Sequence, residues 1–128
     1  MNYKSAEKYL LEKPESRKDY PFGPAAAVFK VKSKMFAILI NREGVVYMNL
    51  KCDPYRAAAL RDVYEAVIPG YHMNKLHWNS VILDGSIPLN EMKKMIDHSY
   101  ALVVKGLKKV EKNALLLAYS EAEIYKEL

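Results

Sequence analysis

The chain has one cysteine, Cys52, in 128 residues, so no disulfide forms within it. That agrees with a reducing compartment, where thiols stay free. Glycine is scarce and scattered, at five residues, and no glycine-rich cradle for a phosphate is present. No serine stands in a G-x-S-x-G elbow and no H-E-x-x-H run occurs. Long apolar runs are missing too, and a stretch such as Met35–Ile40 is far too short to span a bilayer. The N-terminal MNYKSAEKYL is charged and amphipathic, with no secretory h-region and no cleavage site. These absences predict a cytoplasmic protein with no membrane association, no cofactor and no enzymatic activity.

What is present is enough for one domain. The hydrophobic fraction is 51%, which supports a sizeable core, and two domains of half this length would each bury too little. The formal charge is +5. Residues 21–60 carry six Lys and Arg against two Asp and Glu, whereas residues 81–128 balance at seven of each. Four of the five excess charges therefore lie in residues 21–60. A basic surface of this kind aids solubility, and it also attracts phosphate backbones or another acidic surface.

Apolar residues Tyr3, Ala6, Leu10 and Leu11 recur at helical spacing, predicting a helix over Tyr3–Lys13 that Pro14 ends. Residues 14–25, with Pro14, Pro21, Gly23 and Pro24, read as irregular. Three strands are then expected. In Ala27–Lys32, Ala27, Phe29 and Val31 alternate with Val28, Lys30 and Lys32. After a turn at Ser33-Lys34, Met35–Ile40 is apolar on both faces and reads as a central strand. Asn41–Gly44 reads as a hairpin loop before Val45–Lys51. Antiparallel pairing would gather Lys30, Lys32, Tyr47, Asn49 and Lys51 on one solvent face.

Asp53-Pro54 starts the next helix, since the carboxylate caps free N–H groups and proline suits the first turn. Its buried stripe is Ala57, Leu60, Tyr64 and Val67, and Pro69-Gly70 ends it. Residues 70–77 read as a loop and Trp78–Leu83 as a fourth strand. A helix from about Pro88 carries Leu89, Met92, Ile96, Tyr100, Val103 and Leu107. A last one, Glu111–Leu128, buries Leu115, Ala118 and Ala122. The order α-βββ-α-β-α-α predicts an α+β fold: an antiparallel β-sheet with helices packed on one face and the other face open.

Three candidate chemistries can be weighed from the residues. His72, His77 and His98, with Asp84 and Asp97, make a metal set on paper, but three histidines are ordinary composition and no metal is expected. Cys52 precedes a helix start, where the dipole lowers a thiol pKa; the neighbouring Asp53 opposes this, and a small buried cysteine is the better reading. The segment Pro69–Val81 is the distinctive one. It packs Tyr71, His72, Asn74, Lys75, His77, Trp78 and Asn79 into nine positions. Such side chains bond base edges and phosphates or stack on bases. They also satisfy their own loop backbone, with Trp78 half in the core.

Several motifs resemble the MmcQ/YjbR family. They are YPFG at Tyr20–Gly23, VFKV at Val28–Val31, KMFA at Lys34–Ala37, NLKCDP at Asn49–Pro54, LR at Leu60-Arg61, PGYHMNKLHWNSV at Pro69–Val81, LDGSIP at Leu83–Pro88 and DHSYALV at Asp97–Val103. They run in order along a single domain, 1–128, with 111–128 as a helical extension. Ser33 departs from the family pattern, which often has glycine there. The resemblance implies a fold similar to CyaY, the bacterial frataxin, and a DNA-binding role with a double-wing arrangement of β-hairpins. The acidic helix through which frataxins hold iron has no counterpart, because Glu7 and Glu12 are offset by Lys4, Lys8 and Lys13. On this reading the DNA contacts fall to Lys30, Lys32, Lys34, Lys51, Arg56 and Arg61, with Tyr71, His72, Asn74, Lys75, His77 and Trp78 nearest the groove, and the protein acts as a monomer. The alternative is a small-molecule or protein-partner module whose pocket is lined by Tyr71–Asn79.

Overall fold

The computed structural model describes residues 1–128. Helix α1 spans Tyr3–Glu12 and begins in a capping box: the Asn2 side chain accepts the Ser5 N–H at 2.9 Å, and the Ser5 hydroxyl accepts the Asn2 N–H. It buries Ala6 and Leu10, whereas Leu11 of the expected stripe is exposed.

Strand β1, Ser16–Asp19, lies in the segment expected to be irregular, and it pairs antiparallel with β2, Ala26–Val31. Its sequence, SRKD, is polar throughout, so alternation leaves no hydrophobic trace. It is an edge strand whose ladder is supplied by its partner.

Strands β3, Lys34–Arg42, and β4, Val45–Lys51, complete a meander. The β3–β4 loop is tighter than expected: only Glu43 and Gly44 turn, both at positive φ, as a two-residue hairpin requires. The β2–β3 turn is Lys32-Ser33, not Ser33-Lys34, and Lys32 takes the left-handed φ of 53°. Between β2 and β3 the register shifts: Phe29 faces Ala37 while Lys30 faces Met35, leaving Phe36 as the extra residue. Phe36 packs edge-on against Tyr100 at 5.1 Å. The bulge therefore lets Phe36 and Ala37 both join the core while Met35, Ile38 and Ile40 face away.

Helix α2 runs Pro54–Val63, capped by Asp53, whose carboxylate accepts the Tyr55 and Arg56 N–H groups. It stops short of Val67, because Val67–Pro69 forms a three-residue strand, β5, paired with β6, Trp78–Ile82. Val67 is core as expected, but from a strand. The sheet order is β1-β2-β3-β4-β6-β5, antiparallel throughout. Helix α3, Leu89–Lys105, lies across the sheet, and the expected last helix divides into α4, Lys109–Ala118, and α5, Glu121–Ile124. The break comes at Ser120, which caps α5 in a second capping box with Glu123. Leu115 and Ile124 are buried, and Ala118 and Ala122 are exposed, contrary to the expected stripe.

The fold is thus α+β, a six-stranded antiparallel sheet with helices packed on it. One core unites Phe29, Leu39, Met48, Leu50 and Val81 with Met92, Ile96 and Tyr100 of α3. No helix is long and apolar enough to cross a membrane. The other sheet face is not fully open. The 70–77 loop is bonded through Tyr71 to Asn49 of β4 and Ser80 of β6, and Phe22 stands beside Ala26 of β2.

Candidate functional site

The roof of that second face is built from a short polar relay. The Tyr71 N–H donates to the Ser80 hydroxyl at 2.9 Å, the Ser80 hydroxyl donates to Asn49 Oδ1, and the Asn49 amide donates to the Tyr71 carbonyl at 3.2 Å. Asn49 and Ser80 face each other in the β4–β6 register, so the sheet itself sets the height of the loop. Asn74 Oδ1 accepts the Leu76 and His77 N–H groups, an Asx-type turn, and Lys75 Nζ donates to the Gly70 carbonyl at 2.9 Å. His72 stands at φ 58°, a left-handed conformation uncommon outside glycine, and its ring packs on Tyr71 at 4.0 Å between centroids. The Tyr71 hydroxyl accepts a hydrogen bond from Arg42 at the end of β3, and the Arg42 guanidinium lies over the Tyr71 ring.

Beneath and beside this wall is a cleft of about 500 Å³. Ala26, Met35, Ile38 and Ile40 supply its apolar floor, Phe22 stands on one side, and Tyr71–Asn74 form the other. Asn49 lines it as well, but it is buried and not on a solvent face as the strand pattern suggested.

The expected DNA contacts are dispersed. Lys30 pairs with Asp19 at 3.9 Å, Lys32 with Glu15 at 2.8 Å and Arg56 with Glu127 at 3.1 Å. Arg61 donates to Asn79 at 2.7 Å on the helix side of the sheet. Lys34 donates to the Gly106 carbonyl at 2.8 Å, beside the C-terminus of α3. Lys51, opposite Trp78 in the register, forms no ion pair. Trp78 is buried, its Cβ tight against Gly70, so its ring offers no stacking platform. Within the segment, Asn74 and Lys75 serve their own loop; Tyr71 and His72 are exposed above the cleft. His77 receives the Cys52 N–H on its carbonyl, tying the loop end to the start of α2.

A different basic surface emerges where the β2–β3 turn meets the α3–α4 junction. Lys34 bonds Gly106, and Ser33 donates to the Glu111 carboxylate through its N–H at 3.1 Å and its hydroxyl at 2.9 Å. These contacts bring Lys34 against the segment that carries Lys105, Lys108, Lys109 and Lys112, in which Glu111 is the one carboxylate, and none of the five lysines forms an ion pair. The N-terminus of α4 has no side-chain cap and adds its partial positive charge. Counting residues 81–128 as balanced concealed this. The offsetting acids Glu121, Glu123 and Glu127 follow α4 in sequence, and Glu127 is committed to Arg56. The dense run KGLKKVEK at 105–112 was the available signal.

The histidines and acids set out as a paper metal site are scattered, and no group of three or more His, Cys, Asp or Glu converges. Asp97 is buried against Lys13 at 2.9 Å and accepts the Tyr9 hydroxyl at 2.8 Å. His98, also buried, accepts the Asp53 N–H on Nε2, so Nδ1 carries the proton and donates to the Glu127 carbonyl. Burial lowers its pKa. Cys52 is buried and its thiol is pushed up to about 11, chiefly by burial, so it stays protonated and unreactive at neutral pH.

The comparisons agree with this architecture. YbdF of Escherichia coli O157:H7 is 38% identical over 107 residues, covering 84% of this chain and 88% of the relative. YjbR of Escherichia coli strain K12 is 34% identical over 109 residues, covering 85% and 92%. Both relatives are uncharacterized proteins. A crystal structure of a Deinococcus radiodurans protein with a DUF419 domain matches with a TM-score of 0.79 at 36% identity, covering 88% of this chain and 86% of that one. A Pseudomonas syringae crystal structure matches with a TM-score of 0.73 at 29% identity, covering 80% and 98%. The YjbR family model matches residues 11–102, and the chain belongs to the YjbR family.

Proposed function

We propose that this protein is a binding protein for nucleic acid, with DNA as the partner, and that it grips the phosphate backbone through the surface at the β2–β3 turn and the α3–α4 junction. The observation that carries this reading is the docking of Lys34 against the segment that carries Lys105, Lys108, Lys109 and Lys112, all five without ion pairs and with Glu111 the one carboxylate of that segment. Each exposed lysine that meets a phosphate releases condensed counterions, which is the main source of sequence-independent affinity. The β2–β3 turn is fastened to the junction through Ser33–Glu111 and Lys34–Gly106. Lys51 and His77, near the ends of β4 and β6, stand at the same end of the sheet as the turn. With Trp78 buried and Asn74 holding its own loop, the supported contacts are to backbone and not to bases.

Fluorescence anisotropy with a labelled duplex tests this. Affinity should fall with salt by a log–log slope of about −0.9 per phosphate contact. The combined Lys108→Glu, Lys109→Glu, Lys112→Glu variant should lose most of the binding. Lys30→Glu should change it little, because Lys30 already faces Asp19. Salt-insensitive binding, or none at low salt, sinks the proposal.

A further inference from the structure

We infer that the cleft on the second sheet face is a binding site for a small amphipathic organic anion, one with an apolar body and a single carboxylate or sulfonate. The cleft is separate from the lysine surface, and the inference does not rest on the nucleic-acid reading. At about 500 Å³ it falls within the range of small-molecule pockets. Its floor is hydrocarbon, from Ala26, Met35, Ile38 and Ile40. These side chains face away from the helices and so do not belong to the helix-side core.

The wall is preformed. Three side-chain bonds from Asn49, Ser80 and Lys75 hold residues 70–71 at a set height above the sheet. His72 is held in a left-handed conformation at the mouth, the kind of local strain that surrounding contacts must sustain. Opposite it, Phe22 is 69% exposed, a large apolar side chain at the rim that a bound hydrocarbon would cover.

Charge selects the sign of the ligand. No Asp or Glu lines the cleft. Arg42 stands outside the lining but bonds the hydroxyl of the lining Tyr71 through Nη1; its neighbour Glu43 is not within ion-pair distance, and its other donors are left for an anion at the Tyr71 rim. The sheet floor and the Tyr71–Asn74 wall bound the volume on two sides, with Phe22 at the rim, which suits a compact molecule more than a helix or a second copy of the chain.

The test uses anilinonaphthalene sulfonate, an aromatic anion that fluoresces when shielded from water, with the full-length protein. The expected result is one saturable site per chain. Displacement by decanoate should be about tenfold better than by decanol or decylamine, since only the anion gains the Arg42 contact. Arg42→Gln should remove that preference, bringing decanoate down to the affinity of decanol. Amide shifts on adding decanoate to the unmodified protein should centre on residues 26, 38, 40 and 71–74, which locates the site even if a variant folds poorly. Ile40→Phe, which narrows the floor, should weaken all three probes. Absence of saturable binding overturns the inference, as do shifts centred elsewhere or tighter binding of decylamine. A dimer at working concentration that Ile40→Lys dissolves would also overturn it, assigning the face to self-association.

Discussion

Gly70 sets how closely the 70–77 loop approaches the sheet. A Cβ added there would lie 2.8 Å from both the Trp78 Cβ and the Trp78 carbonyl, the second of which cannot swing away. Gly70→Ala should destabilise the fold by about 1–3 kcal/mol through overpacking, read as a lower urea midpoint with an unchanged m-value. His98 makes a second residue-scale prediction. Burial lowers its folded pKa below the ordinary value, and its Nε2 is occupied in accepting the Asp53 N–H. Between the folded pKa and about 6.5 the unfolded chain binds the extra proton, so stability rises with pH across that window. The contribution is whole above about 6.5 and is lost as pH falls through the folded pKa. Urea midpoints measured against pH should show this slope, and His98→Gln should flatten it; an unchanged slope would remove His98 as its cause.

At the scale of elements, α1 is fastened to α3 by a buried polar contact as well as by Ala6 and Leu10. Lys13, at the end of α1, pairs with Asp97 on α3 and sits over the Tyr100 ring, while Tyr9 adds its hydroxyl to the same carboxylate oxygen. Both charges are nearly removed from water, so stripping one leaves the other uncompensated. Lys13→Met should cost about 3–5 kcal/mol, whereas Lys13→Met combined with Asp97→Leu should recover much of it. A double-mutant cycle by urea denaturation measures the difference, and purely additive losses would show that the two charges are not coupled. Burial, followed by the hydrogen bond to Asp97, raises the Tyr9 pKa, so its hydroxyl remains a donor across the range of this experiment. The β2–β3 bulge acts at this scale too: by inserting Phe36 it turns Ile38 and Ile40 toward the cleft and Ala37 and Leu39 toward α3.

Across the whole molecule, the two candidate surfaces draw on different parts of the chain. The lysine surface joins residue 34 to residues 105–112, and the cleft joins Phe22, the β2–β3 floor and the 71–74 wall. Neither is contiguous in sequence. The charge reversal at Lys108, Lys109 and Lys112 should therefore abolish duplex binding while the cleft still takes up anilinonaphthalene sulfonate, and Arg42→Gln should weaken uptake of the dye and leave duplex binding unchanged. If one variant disables both, the two surfaces are coupled and not separate.

Much of the architecture was legible because it is written in local physics. Period-two alternation placed β2 and β4, a short run apolar on both faces placed β3, helical spacing placed α1 and α3, and the Asp53-Pro54 start placed α2. The ordered motifs from Tyr20 to Val103 identified the family, which the family match over residues 11–102 bears out. The polar edge strand β1 and the short β5 were hidden, because their hydrogen bonds come from a partner strand and not from their own side chains. The sites depended still more on tertiary structure. Charge counted along the chain pointed to residues 21–60, but Lys30 and Lys32 find acidic partners in β1 and the α1–β1 turn, while Lys105–Lys112 lie among lysines. Electrostatic partnership depends on distance in space, which a running count does not measure. The sequence alone determined that Gly70–Val81 is distinctive. Only folding decided that its tryptophan is buried, that its asparagine caps its own turn, and that its exposed aromatic pair stands over an apolar cleft.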